Sequence, residues 1–234
     1  MNKPSQTPYH LVIPAAGIGS RFGANTPKQY ALINGQPLIH HAIAAAGCGN
    51  CLSITIALHA EDSYWQLPAS ASVPLHTVVG GKERADSVYQ ALLALQERSV
   101  ADDGVVLVHD AARPFVPDND IHALLAAVES STEEGAILAA PVADTIKLVE
   151  EGNRISHTVD RSNLWRALTP QAFRLKALIS ALEQCQRENA IVTDEASAIE
   201  AVGGRVEVVK GSAANIKVTL PEDLQSVASY MEQI

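Results

Sequence analysis

The sequence predicts an α/β fold in which a mostly parallel sheet is flanked by helices, and three observations predict it. Short β-branched runs alternate along the chain with amphipathic stretches, the pattern of successive βαβ units. The first run leads straight into a glycine loop, the kind of turn at which an α/β sheet meets its ligand. With 47% hydrophobic and 18% charged residues, the 234-residue chain can fill one substantial core, so a single domain over residues 1–234 is expected.

Taken in order, strands are expected at Tyr9 to Pro14, Ser53 to Leu58, Leu75 to Val79, Val105 to His109, Ala136 to Val142 and Val206 to Val209. Helical patterns fall between them at Pro37 to Ala46, Ala85 to Leu95, Asp118 to Val128, Arg174 to Arg187 and Asp194 to Val202. A last helix is expected from Thr219-Leu-Pro-Glu222, where threonine can cap free amides, glutamate can reciprocate and proline loses no helical bond. The architecture is Rossmann-like, with one departure. Thr145 to Val149 and Arg154 to Val159 read as a β-hairpin around Glu151-Gly-Asn153, an arm of about residues 143–162 inserted before the next helix. An isolated ribbon is marginal in water, so a homodimer that covers the arm is expected.

Bulk properties exclude several classes. No run approaches the roughly 20 apolar residues needed to span a bilayer, and the N-terminus lacks a signal-peptide pattern, so a cytoplasmic location is expected. A net charge of -9 without a basic stripe argues against extended nucleic-acid binding but leaves small phosphorylated ligands open. Three cysteines are too few for a disulfide scaffold, and Cys48-Gly-Asn-Cys51 lacks the second pair that a structural zinc would want. A turn with two incidental thiols is expected there.

The strongest local signal is Pro14-Ala-Ala-Gly17-Ile-Gly19-Ser-Arg21-Phe-Gly23 with Pro27-Lys28-Gln29 behind it. Glycines let backbone amides surround phosphate oxygens, while Arg21 and Lys28 supply the charge a triphosphate demands. The third glycine comes one position too late for a dinucleotide fingerprint, and no Gly-Lys-Ser/Thr closes a P-loop. Asp110 follows the fourth strand, at the edge where α/β ligands bind, and could hold Mg²⁺ against a triphosphate. An N-cap or turn aspartate is the plain alternative. Arg113, a cation in the same turn without an obvious structural duty, favours the metal.

The loop AAGIGSRFG with PKQY resembles the nucleotide-sugar pyrophosphorylase-like transferases. GGKERADSV at Gly80 to Val88, VHDAARP at Val108 to Pro114, TVDRSNLWRALTPQ at Thr158 to Gln171, and the later TDEAS and NIKVT narrow the resemblance to the methylerythritol phosphate cytidylyltransferases, over nearly the whole chain. That resemblance implies attack by a sugar-alcohol phosphate on the α-phosphorus of CTP, with Mg²⁺ and without a covalent intermediate, in the non-mevalonate route to isoprenoid precursors. It implies that Arg21, Lys28 and Lys217 are catalytic and that Asp110 is the metal ligand. It further implies CTP contacts at Ala15, Ala16, Gly17, Gly19, Gly81, Ser87, Asp110 and Ala111. Arg113, Thr145, Arg161, Thr169 and Thr193 would face the acceptor, with Arg161 acting across the subunit boundary.

By themselves Lys217 reads as a surface lysine on a short strand, Ser87 and Thr193 as helix-start residues, and Arg161 as a solvated arm residue or the partner of Asp160. His109 reads as packing, since an ionised phosphate needs no general base. Phe22 and Lys82 depart from the family pattern without touching an assigned role. Three alternatives stay open. Ribitol 5-phosphate could be the acceptor; a dinucleotide-dependent oxidoreductase would need the missing glycine; a non-catalytic module would bind CTP without turnover.

Overall fold

A computed structural model describes residues 5–17, 26–69 and 72–231. Chain order is β1 (Tyr9–Ala15), β2 (Leu32–Ile33), β3 (Gln36–Pro37), α1 (Leu38–Ala46), β4 (Cys51–Leu58), β5 (Leu75–Val79), α2 (Arg84–Glu97) and β6 (Val105–Val108). Then follow α3 (Asp118–Ser130), β7 (Gly135–Pro141), β8 (Ile146–Glu150), β9 (Arg154–Val159), β10 (Trp165–Arg174), α4 (Leu175–Glu188), α5 (Glu195–Ala201), β11 (Val206–Lys210) and α6 (Pro221–Met231). The strands and helices expected from the sequence are present within a residue or two of their expected bounds at most ends.

Seven strands form one sheet in the order β5-β4-β1-β6-β10-β7-β11. All neighbours pair in parallel except β10, which runs antiparallel to both β6 and β7. Both faces of the sheet are covered, which is why its middle strands carry continuous apolar runs rather than alternation. Along β1, Leu11 and Ile13 join Ile39, Ile43 and Leu124 of α1 and α3 on one face. Val12 points the other way, with Val106, Val108 and Phe173, into Leu92, Leu178 and Ile199 of α2, α4 and α5. Each of the larger fully buried side chains, Phe173 and Leu92 among them, stabilises the fold by roughly 2 kcal/mol.

Strand order reverses between β1 and β6, and a ligand crevice opens outside the carboxyl ends of strands at such a point. The loops after both strands are therefore brought together by topology alone. Gly17, Asp110 and Ala111 lie on them.

Four features differ from the sequence expectations. Strand β10 was not expected; its Pro170 argues against a central strand, and a register shift between Ala167 and Gln171 accommodates that proline. A short hairpin, β2 with β3, turns on Asn34 and Gly35, both at positive φ. Residues Asn215 to Thr219 form an irregular strap rather than a strand, tied to the β6 loop by the Val218 amide donating to the Ala112 carbonyl at 2.9 Å. At the start of α6, Asp223 rather than Thr219 or Glu222 does the capping: its carboxylate accepts from the amides of Thr219 and Leu220 at 2.7 and 2.8 Å.

The arm is present as read. β8 and β9 pair with each other in a separate two-stranded sheet, and Leu148, Val149 and Ile155 on it are each more than half exposed.

Candidate active site

The end of β1 and its neighbours are packed so closely that only small residues fit. A Cβ on Gly80 would lie 2.5 Å from that of Ala16, and one on Gly81 would lie 2.2 Å from that of Asp86. The Ser87 hydroxyl accepts from the Gly81 amide at 3.1 Å and donates to the Glu83 carbonyl, so it shapes the glycine turn from the first turns of α2. On the other side, the buried Gln29 amide donates to the Ala15 carbonyl at 2.8 Å. This holds the short turn Lys28–Tyr30 against β1 and sets Lys28 at the edge of the crevice.

Between these walls lies a cavity of about 650 Å³. It is bordered by Ala15, Ala16, Gly17, Lys28, Gly81, Ser87, Asp110, Ala111 and Lys217, nine of the residues expected on the sequence. Gly19 and Arg21 lie outside the described residues. Lys82, set aside as a harmless departure, also lines the cavity, as do Gln29 and Arg84.

Asp110 is the centre of the charge. It is 7% exposed, and both its oxygens face cations. Arg84 Nε lies 3.2 Å from Oδ1; Lys217 Nζ lies 2.9 Å and Arg113 Nε 3.4 Å from Oδ2. Burial would raise the carboxyl, but the charges of Arg84, Lys217 and Arg113 outweigh it and hold the group well below the usual carboxylate range. Arg84 in turn makes a two-point ion pair with Glu195, at 2.7 and 3.0 Å. Burial pushes the Glu195 carboxyl up and the Arg84 guanidinium opposes this. Neither Arg84 nor Glu195 was expected from the sequence, where each looks like an ordinary charged residue in a first helical turn.

Behind Asp110 stands a polar layer. The Asp110 amide donates to the Thr169 hydroxyl at 3.0 Å. His109 Nε2 lies 2.9 Å from the Arg113 carbonyl, which can only accept, so Nε2 carries the proton and Nδ1 accepts from Thr169 at 3.0 Å. Burial lowers His109 to about 4, so the ring is neutral and acts as packing and hydrogen-bonding support. Arg113 has the structural duty that the sequence did not reveal: it is 8% exposed, and its Nη1 donates to the Asn215 carbonyl at 2.8 Å. Asn215 donates from its amide to the Thr169 carbonyl at 2.7 Å, leaving its buried Oδ1 without a partner. The strap that carries Lys217 is thereby moored at two points.

The other residues expected at the acceptor are more open. Thr145, Arg161 and Thr193 are all exposed. The Arg161 guanidinium donates to the Ala143 carbonyl at the root of its own arm, while Asp160 accepts from the amide and hydroxyl of Ser162 instead of pairing with Arg161. The Thr193 hydroxyl lies 3.3 Å from Ser197 Oγ, inside the capping box of α5. Among the described residues no group of three or more His, Cys, Asp or Glu could hold a metal alone. Cys48 and Cys51 are pushed up to about 11 and about 12 by burial, and their thiols donate to Asp118 and to the Ser53 carbonyl.

The chain is similar to known proteins over nearly its whole length. A Pseudomonas putida 2-C-methyl-D-erythritol 4-phosphate cytidylyltransferase is 46% identical over 219 residues, 93% of each chain. The protein of that name from Vibrio vulnificus is 44% identical over 231 residues, 98% of this chain and 97% of that one. The solved structure of the Francisella tularensis enzyme superposes with a TM-score of 0.80 at 36% identity, covering 96% of this chain and 99% of the other. A crystal structure of a 4-diphosphocytidyl-2C-methyl-D-erythritol synthase superposes at 0.82 with 33% identity, covering 97% and 100%. Residues 9–233 match the model of one family, and the chain belongs to it: IspD, 2-C-methyl-D-erythritol 4-phosphate cytidylyltransferase.

Proposed function

We propose that the cavity is the cytidylyl-transfer site of a single catalytic domain over residues 1–234, with the arm at about 143–162 inserted in it. The chain is a CTP-dependent cytidylyltransferase. It joins the cytidylyl group to 2-C-methyl-D-erythritol 4-phosphate, releasing pyrophosphate, in the making of isoprenoid precursors. A phosphate oxygen of the acceptor forms the new bond to the α-phosphorus of CTP. The bond to the bridging oxygen breaks, and pyrophosphate leaves with the electron pair. An acceptor already ionised needs no base, so the chain's work is positioning and charge neutralisation.

The observation that carries this reading is the buried Asp110 between three cations, facing a cavity walled by glycines and Lys28. Ala15, Ala16, Gly17 and Gly81 bring backbone to the nucleotide, with Gly19, Ser87 and Ala111 beside them. Lys28 and Lys217 meet the α-phosphate, and Arg21 the triphosphate. Asp110 fits Mg²⁺ as a carboxylate held in its charged form by the neighbouring cations, of the kind that binds this ion together with substrate phosphates. When bound, the ion neutralises charge on the triphosphate oxygens.

Arg161, Thr145 and Thr193 hold the acceptor, with Arg113 and Thr169 supporting that side from behind Asp110. The exposed apolar residues of β8 and β9 support a homodimer in which the arm covers a neighbouring subunit. Three free cysteines support a reducing, cytoplasmic setting.

The test is pyrophosphate release from CTP and Mg²⁺ with methylerythritol phosphate, beside ribitol 5-phosphate and a control without acceptor. Release specific to methylerythritol phosphate is expected. Release with ribitol phosphate alone would reassign the acceptor, and CTP binding without release from either would leave a non-catalytic module.

A further inference from the structure

Glu195 has no solvent exposure and stands behind Arg84, which lines the cavity. Its place is set with care. Gln171 of β10, itself buried, accepts from the Ala196 amide at 3.1 Å and donates to Asp194 at 2.8 Å. Asp194 and Ser197 close a capping box around the same turn. The start of α5 is thus fixed to the strand beside β6, and from there both Glu195 oxygens reach the Arg84 guanidinium. A buried ion pair is a poor way to stabilise a fold, because apolar residues of similar volume often serve as well or better. What the pair does achieve is orientation: with Nη1 and Nη2 clamped, the guanidinium plane is set and Nε points at Asp110 Oδ1. Lys217, on the other oxygen, is 43% exposed.

We propose that Glu195 is a positioning residue for cytidylyl transfer: by clamping Arg84 at two points it fixes the orientation in which Asp110 is offered to the metal and triphosphate. This rests on the cavity being the CTP site. The relay runs from β10 through α5 and α2 to the end of β6, so four elements converge on one carboxylate. A purely structural tie between α5 and α2 would make the same contacts but would leave the metal dependence of nucleotide binding unchanged.

The experiment compares the full chain with Glu195→Gln, Glu195→Asp and the apolar double variant Arg84→Met/Glu195→Leu. Thermal unfolding, CTP calorimetry with and without Mg²⁺, and steady-state kinetics are measured on each. Glu195→Gln is expected to bind CTP at least tenfold more weakly in Mg²⁺, with affinity in its absence and acceptor KM within twofold of the parent. Its kcat should fall more than tenfold at a parent-like Tm, and Glu195→Asp should recover part of the loss.

Unchanged Mg²⁺-dependent affinity and turnover overturn the proposal, as does a loss of turnover that only follows the folded fraction. Should Glu195→Gln fail to fold, the apolar pair decides. Folded and as active as the parent, it overturns the proposal; folded but slow, with weakened Mg²⁺ dependence, it supports it. A parent that binds CTP but releases no pyrophosphate defeats the functional reading while the calorimetric comparison still decides this one. A parent that binds no CTP defeats both.

Discussion

The crevice at the end of β1 and β6 and the arm of β8 and β9 are built on opposite plans. In the crevice, Asp110, Arg113, Thr169 and Asn215 are buried and bonded to one another from three separate segments of the chain, and buried Glu195 joins them from a fourth through Arg84. On the arm, Thr145 and Arg161 stand in the open, on a ribbon paired with nothing but itself. A site meant to stabilise charge must be preorganised, because dipoles that need not turn at the moment of reaction are the ones that lower the barrier. The crevice proposed for the nucleotide meets that condition within one chain. The arm does not, and it is there that the proposed homodimer would complete the site.

The comparison breaks most sharply at the two lysines. A cation about 4 Å from a developing negative charge is worth on the order of 4 kcal/mol at an effective dielectric of 20, close to three powers of ten in rate. Lys28→Ala and Lys217→Ala are therefore expected to lower kcat by about 10²–10³-fold with little change in Tm. Lys217 is 43% exposed, and Asp110 keeps Arg84 and Arg113 when it is removed, so the fold should hold. Normal turnover in both variants would remove them from the mechanism.

The second expected effect sharpens the claim that the crevice is held from behind. His109 is buried with its proton affinity lowered to about 4, against an ordinary value near 6.5, because burial disfavours its charged form. Between those values the unfolded chain binds the proton that the folded chain refuses, so stability rises with pH across that window. The contribution is fully present above about pH 6.5 and lost as pH falls toward 4, with an upper bound of about 3 kcal/mol. Urea unfolding of the parent between pH 6.5 and 4.5 should show this slope. His109→Gln, though less stable at pH 7, should show a flatter one; equal slopes would mean that the ring is not held neutral.

Much of this division was legible in the sequence. The alternation of runs gives the parallel strands and their helices, because a strand covered on both faces must be apolar throughout, as Val105 to Val108 are. The glycine loop, Asp110 and Lys217 carry a recognisable order. Strand β10 was hidden, since Trp165–Arg174 mixes polar residues and a proline with apolar ones. Its Gln171 is buried for the sake of α5, which no periodicity records. Arg84 and Glu195 were hidden for a related reason: a charged residue in the first turn of a helix usually faces water, and only the folded chain shows that Glu195 is buried against the Arg84 guanidinium at the edge of the cavity. Arg113 was read as a cation without a structural duty, and that duty, mooring the Lys217 strap, shows only in the fold.

The smallest expected effect tests the open half of the comparison. Arg161 bonds the Ala143 carbonyl at the root of the arm and is exposed, so Arg161→Ala should leave Tm within about a degree, as surface changes do. It should raise the acceptor KM by about tenfold, on the order of 1.4 kcal/mol, while the KM for CTP stays as it was. If the arm reaches into a neighbouring subunit, this defect and that of Lys28→Ala lie in different chains of the same site. Co-refolding the two variants would then produce some dimers with one site free of both substitutions, and activity should rise above the sum of the separate preparations. Subunit exchange demonstrated by a mass tag, with no rise in activity, would place Arg161 beside its own chain's crevice and leave each subunit complete.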